Sequence, residues 1–180
     1  MAALMAPARP RVEPGWDLVD GIWVERQMGN LANYYATTMS EHLAPYVRRN
    51  KLGVVHNSSA GFQCAQLDGG RLRMPDLSFV GRAKLKEGRP AEGWDDYPPD
   101  LVVEVVSPND DAQDVHRKAQ MWLRGGVALV WVVWPREQQV VAHHPDGSAQ
   151  TYSVGDAIDG EAVVPGFVLP LATLFADPLA

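Results

Sequence analysis

Leu101-Val102-Val103-Glu104-Val105-Val106 is a short stretch in which one charged residue interrupts an otherwise apolar run. A second apolar run extends from Val127 to Trp134. Neither run alternates between polar and apolar residues, so each predicts a strand that is covered on both faces of a sheet. Between them, Ser107–Asp111 supplies capping residues for a helix from about Asp111 to Arg124, which Gly125-Gly126 ends. Such a crossover joins parallel strands, so the chain predicts an α/β fold with a mixed β-sheet core flanked by helices.

Hairpins at both ends and a long helix are predicted around this core. The runs on either side of Asp20-Gly21 alternate as a β-hairpin does, and a second hairpin is expected from about Val140 to Val154. Apolar residues at spacings of three and four predict a helix from about Asn30 to Arg49, which Pro45 breaks near its end. The other expected elements are β-like runs at Gly53–His56 and Gly61–Cys64, a turn at Asp68–Gly70, a strand from Leu72 to Val80 and a terminal helix at Leu171–Phe175.

The composition is that of one globular domain. The chain has 180 residues, of which 46% are hydrophobic and 21% charged. Residues 1–15 are rich in Ala, Pro and Arg and are expected to be disordered, which leaves residues 16–180 as the predicted domain. The single cysteine, Cys64, cannot form an internal disulfide and is expected to be a small buried residue. With no signal-peptide core and no run near the roughly 20 apolar residues of a membrane span, we expect a cytoplasmic protein.

The net charge limits the classes of partner. A formal charge of −6 gives the chain no overall basic field. Nonspecific attraction to nucleic acid grows with the number of phosphates that Lys and Arg neutralise, so only a local basic groove could supply it. Candidate members of such a phosphate-facing rim are Arg73, Arg82, Lys84 and Lys86, although as surface charges they would be equally ordinary.

Two acidic residues stand in strand-like apolar settings, Asp76 in Met74–Val80 and Glu104 in Leu101–Val106. An unpaired ionised carboxylate is costly to bury, and a divalent cation is a common partner for two of them. For Asp76 the plain alternative is a residue that caps a turn at the start of the strand. For Glu104 it is a structural salt bridge to an arginine.

Lys118 lies on the helix predicted between the two apolar strands. The apolar stripe of that helix runs through Val115, Ala119, Trp122 and Leu123, and Lys118 falls at its edge beside Trp122. The lysine is therefore placed to reach over the sheet. A surface pair with Asp114, one turn earlier, is the ordinary alternative.

Pro75-Asp76, a strand with Glu104 and a following lysine resemble the PD-(D/E)xK nuclease pattern. More specifically, the chain resembles the Uma2 family of restriction-endonuclease-like proteins over about residues 16–175. The matching segments are Asp17–Glu25, Arg73–Val80, Pro99–Pro108 and Lys118–Pro135. The superfamily places its lysine two residues after the acid, where this chain has Val106. In this family the lysine moves to the next helix, and Lys118 matches that position.

The resemblance implies a metal-dependent endonuclease that hydrolyses phosphodiester bonds of DNA, with Asp76, Glu104 and Lys118 as catalytic residues. Asp76, Glu104 and the backbone carbonyl of Val105 would hold Mg²⁺ or Mn²⁺, with Glu25, in preference to Glu41, as a further ligand. A homodimer is expected, because one site per chain cuts only one strand of a duplex. Two alternatives remain open: a catalytically weak or inactive nuclease-like domain that binds nucleic acid or a protein partner, and a structural scaffold.

Overall fold

The computed structural model describes residues 16–19, 22–25, 29–108, 110–177 and 179, with side chains described from residue 29 onward. Within these residues, a six-stranded sheet has the order β3-β4-β5-β6-β7-β8. Its strands are β3 (Gly53–Asn57), β4 (Leu77–Gly81), β5 (Leu101–Val105), β6 (Leu129–Trp134), β7 (Gln139–His143) and β8 (Ala149–Ser153). The helices are α1 (Asn30–Arg49), α2 (Ala112–Arg124) and α3 (Leu171–Leu174). The predicted α/β fold with a mixed sheet and flanking helices is therefore confirmed.

Two small antiparallel hairpins accompany the large sheet. One pairs β1 (Trp16–Val19) with β2 (Ile22–Glu25), and the other pairs β9 (Ala157–Asp159) with β10 (Val168–Pro170). The predicted turn at Asp20-Gly21 and the predicted disorder of residues 1–15 lie outside the described residues. No helix in the described part of the chain is long and apolar enough to cross a bilayer.

The crossover through α2 fixes the centre of the sheet. β5 and β6 are parallel, with Leu101 opposite Leu129 and Val105 opposite Val133, whereas the other neighbouring pairs are antiparallel. All five residues of β5 are buried, as expected of a strand covered on both faces. Because side chains alternate along a strand, Leu101, Val103 and Val105 join the core under α1. Val102 faces the other way, into the core under α2.

α1 continues through Pro45, contrary to the prediction that this proline breaks it. Proline removes one backbone donor and ordinarily weakens the helix around it. Here Leu43 and Val47, on either side of Pro45, are 0% and 1% exposed and hold the last turns against the sheet. The Tyr46 hydroxyl also donates to the carbonyl of Pro165 at 2.9 Å. Packing of the buried face outweighs the local preference.

One predicted strand is shorter in the structure, and another is absent from the described residues. The strand expected from Leu72 begins only at Leu77, because Pro75 has no N–H to give to a ladder. The run Gly61–Cys64 forms no strand, and Phe62 makes only isolated bridges to Arg73 and Asp95. Residues 58–73 instead form a loop whose buried members, including Cys64 as expected, cover the α2 face of the sheet.

The loop packs closely against the end of α2. Leu67 is 0% exposed, and a Cβ added to Gly125 would lie 2.6 Å from Leu67 Cδ1 and 3.2 Å from Leu67 Cα. The glycine that ends the helix therefore also permits this close approach.

Substitution Gly125→Ala should destabilise the protein by about 1–3 kcal/mol, because the added methyl group overpacks the contact with Leu67. Urea unfolding measures the free energy. Gly155→Ala is the matched control, since a Cβ at Gly155 meets nothing within 4 Å. Equal stabilities of the two variants would contradict the close packing.

Candidate functional site

Asp76 and Glu104 meet where β4 begins and β5 ends. The antiparallel register pairs Leu77 with Val103, so Asp76 and Glu104 are the next residues beyond this last pair. The Val105 amide donates to Asp76 Oδ2 at 2.8 Å, which fixes this end of the pairing. The two acids are only 6% and 4% exposed. Two acids that are far apart in the sequence are thus both buried, and Asp76 is bonded to the residue that follows Glu104.

Glu104 is held from α2 through both of its carboxylate oxygens. The Trp122 indole Nε1–H donates to Oε1 at 2.7 Å, and Lys118 Nζ lies 2.8 Å from Oε2. The lysine and the carboxylate therefore form an ion pair. The Lys118 side chain is 38% exposed, so its ammonium joins the buried carboxylate to the surface.

The position of α2 follows from its sequence. The Asp111 side chain caps the helix by accepting from the amides of Gln113 and Asp114. Lys118 and Trp122 are four residues apart and therefore lie on the same side of the helix. Asp114 pairs with Arg117, while the Lys118 ammonium lies on Glu104, so the surface pair considered for Lys118 is not the one formed.

The structure says less about the other predicted metal ligands. Val105 comes to Asp76 through its amide. Glu25 ends β2, and its side chain lies outside the described residues. Glu41 is exposed on α1, which covers the opposite face of the sheet, so it does not reach the two acids. Among the described residues, no group of three or more His, Cys, Asp or Glu side chains could hold a metal ion.

Asp76 and Glu104 nevertheless suit a hard divalent cation. Mg²⁺ commonly binds through one or two carboxylates and completes its octahedron with water and phosphate oxygens. Asp76 before the start of β4 and Glu104 near the end of β5 are two buried carboxylates that could provide that minimal donor set.

Three members of the predicted basic rim lie away from the acids. Arg82, Lys84 and Lys86 follow the end of β4, whereas Asp76 precedes its start. Lys84 Nζ lies 2.7 Å from Asp100 Oδ1, and Lys86 Nζ lies 2.9 Å from Asp96 Oδ2. Arg73 is nearer in sequence to Asp76 and pairs with Asp68. The structure therefore does not gather the four residues around the two acids.

A buried polar cluster beside the acids was not anticipated. His56 lies opposite Ser78 across β3 and β4, and Ser78 is two residues from Asp76 on the same face. Ser78 and Asp95 are 0% and 6% exposed. Burial lowers the pKa of His56, and the Asp95 carboxylate partly offsets that effect. Burial, followed by the hydrogen bond and charge of Asp95, raises the pKa of Tyr97 well above its ordinary value.

Sequence reasoning also missed the contact between Trp122 and Glu104, because it treated Trp122 only as part of an apolar stripe. The four-residue spacing between Lys118 and Trp122 is the sequence feature that could have predicted this contact. A tryptophan one turn from a lysine that reaches a buried acid can donate to the same carboxylate. Asp95 gave no comparable signal, since it sits in a polar loop at Trp94–Tyr97.

Comparison with known proteins assigns the family. The model of the Uma2 family, described as "Putative restriction endonuclease", matches residues 7–172. The chain belongs to the Uma2 family. Asp76, Glu104 and Lys118 all lie within the matched region.

A solved structure shares the fold of this Uma2 chain. It is described as a putative nuclease belonging to DUF820 from Anabaena variabilis, with a TM-score of 0.78, 17% identity and 92% coverage of each chain. At that identity the likeness shows the fold alone. No curated protein matches the chain.

Trp122→Phe should cost about 1–3 kcal/mol more than Trp131→Phe, because it leaves Glu104 Oε1 without its indole donor in a buried site. Trp131 is the matched control, since it is 0% exposed and its Nε1 has no hydrogen-bond partner within the described residues. Denaturant unfolding of both variants gives the difference. Equal losses would show that the indole N–H of Trp122 does not stabilise the carboxylate.

The buried His56 predicts a pH dependence of stability. The pKa of His56 is lowered in the folded state. The free energy of unfolding is therefore undiminished by His56 at pH values above its unfolded-state pKa of about 6.5. Stability is lost as the pH falls from there through the folded-state pKa, since the unfolded chain binds the proton more readily. His56→Gln should flatten this part of the profile of urea midpoint against pH. Because burial also lowers the pKa of His143, the informative quantity is the difference between wild type and variant. Parallel profiles would refute the prediction.

Proposed function

We propose that this Uma2 protein is a metal-dependent endonuclease that hydrolyses phosphodiester bonds of DNA. The observation that carries the proposal is the ion pair between Lys118 and the buried Glu104, with the buried Asp76 bonded to the next residue, Val105. Two buried carboxylates, one of them in contact with a partly exposed ammonium, are groups suited to phosphodiester hydrolysis. The family of the chain supports the same reaction class.

Asp76 and Glu104 would hold Mg²⁺ or Mn²⁺, with the Val105 carbonyl and Glu25 as further candidate ligands. When bound, the metal supplies a water of lowered pKa and offsets charge on the transferring phosphate. Lys118 orients the attacking water or stabilises the negative charge that develops on the phosphate, a role suited to a compact ammonium. Trp122 holds the Glu104 carboxylate in a fixed orientation through Oε1.

We further propose that the protein acts as a homodimer in the cytoplasm. A domain with one site cuts a single strand, and a twofold pair presents two sites to the two strands of a duplex. Analytical ultracentrifugation of the free protein tests the pairing, and a monomer at all concentrations and on duplex DNA would refute it.

A second candidate function is binding of nucleic acid without cleavage. The observation that favours it is the engagement of both Glu104 oxygens by Trp122 and Lys118, which lets the carboxylate be buried without a cation. This function predicts duplex binding that needs no divalent metal and no product under any metal.

Glu104→Gln and Lys118→Met should each lower Mg²⁺-dependent cleavage of duplex DNA by about 10²-fold or more, because each removes a charge that acts on the reacting phosphate or its metal. Plasmid nicking measures the rate, and calorimetry measures Mg²⁺ binding. Glu104→Gln should also weaken Mg²⁺ binding, whereas Lys118→Met should not.

Glu87→Gln and Lys51→Met are the matched controls, since both residues are exposed and lie near the edge of the sheet where β4 ends, away from the acids. They should cut at the wild-type rate. A wild-type protein that binds neither Mg²⁺ nor Mn²⁺ would refute the metal-dependent reaction. Cleavage that is unaffected by either active-site variant would refute the assigned residues.

A further inference from the structure

A groove runs between the solvent side of α2 and the loop around Asp68. Its cavity volume is about 480 Å³. The polar groups that line it include Gln66 and Gly69 from the loop and His116, Arg117, Gln120 and Arg124 from α2. Met121 also lines it, so the wall carries apolar as well as polar surface.

The charges in this groove favour an anion. Arg117 and Arg124 are both exposed and supply two guanidinium groups. The acid of the groove wall, Asp68, is engaged by Arg73 and lies 3.6 Å from Arg71. Asp114, which is exposed on α2, pairs with Arg117 at the surface. Planar guanidinium forks and side-chain amides are the groups that commonly position phosphate oxygens.

The groove lies beside the part of α2 that carries Lys118, since His116 and Arg117 line it. Met121 lies three residues after Lys118 and on the same side of α2. A strand of nucleic acid that follows the groove would therefore pass from Arg124 and Arg117 toward the Lys118 ammonium. The loop side of the groove is anchored, because Leu67 is buried against Gly125. The predicted rim at Arg82, Lys84 and Lys86 offers no such continuity, since it lies beyond the far end of β4.

We propose that the groove between α2 and the loop at residues 66–69 binds the phosphodiester backbone of duplex DNA, with Arg117 and Arg124 as its main contacts. This inference rests on the proposed nuclease function and names the surface on which that function receives its substrate. Such a groove would let a chain of formal charge −6 bind DNA without an overall basic field.

The test measures binding of a fluorescein-labelled DNA duplex by anisotropy, without divalent metal, over a series of NaCl concentrations. The double variant Arg117→Gln/Arg124→Gln should bind at least about 10-fold more weakly at low salt. Its plot of log K against log salt should be shallower by about 2, because two phosphate contacts are lost. Asp114→Asn should bind more tightly than wild type, since it removes a negative charge beside Arg117.

Arg48→Gln/Arg49→Gln is the matched control, since both residues are exposed in the last turn of α1, on the opposite face of the sheet. It should bind as wild type does. Wild-type affinity and salt slope in the Arg117/Arg124 double variant would overturn the groove while leaving the nuclease proposal standing. A loss of binding confined to Arg82→Gln/Lys86→Gln would overturn it too and move the contact to the far edge. Metal-dependent cleavage, measured separately, tests the nuclease function itself.

Discussion

The burial of a charged carboxylate in the central strand is the constraint on which the rest of the structure depends. Glu104 is 4% exposed, and a buried ion is tolerated only when partners replace its water. Those partners, Trp122 and Lys118, come from α2. The helix must therefore pack on the even-numbered face of β5 in one register along its axis, because a turn in either direction would withdraw one partner.

The same constraint organises the neighbouring strand and loop. β4 begins at Leu77, so Asp76 is released from the ladder and its carboxylate can accept the amide of Val105. That hydrogen bond ties the start of β4 to the end of β5, the strand that carries Glu104. The loop at residues 58–73 then closes the α2 face, and Gly125 lets Leu67 approach the end of the helix. The contacts that stabilise this part of the core are thus also the contacts that position the candidate site.

The sequence predicts most elements because their signals are local. The apolar runs, the Asp111 cap and the Gly125 stop identify β5, α2 and β6, and the crossover between the two strands predicts that they are parallel. What it misses depends on contacts between distant residues. Pro45 stays helical because Leu43 and Val47 are buried, and the partner of Trp122 cannot be known until the helix is placed over Glu104. Arg82, Lys84 and Lys86 follow closely on Asp76 in sequence, but β4 carries the chain away from the acids before they occur.

The ion pair between Lys118 and Glu104 also bears on how the site could work. Each carboxylate oxygen has two lone pairs, so a lysine on Oε2 does not by itself exclude a cation on the same group. The indole of Trp122 holds Oε1 and thereby limits rotation of the carboxylate. A cation would then meet a carboxylate whose orientation is already fixed, with little ordering left to do on binding. Lys118 would remain beside that carboxylate, near the position of a scissile phosphate, although it comes from a helix and not from the strand that carries the acid.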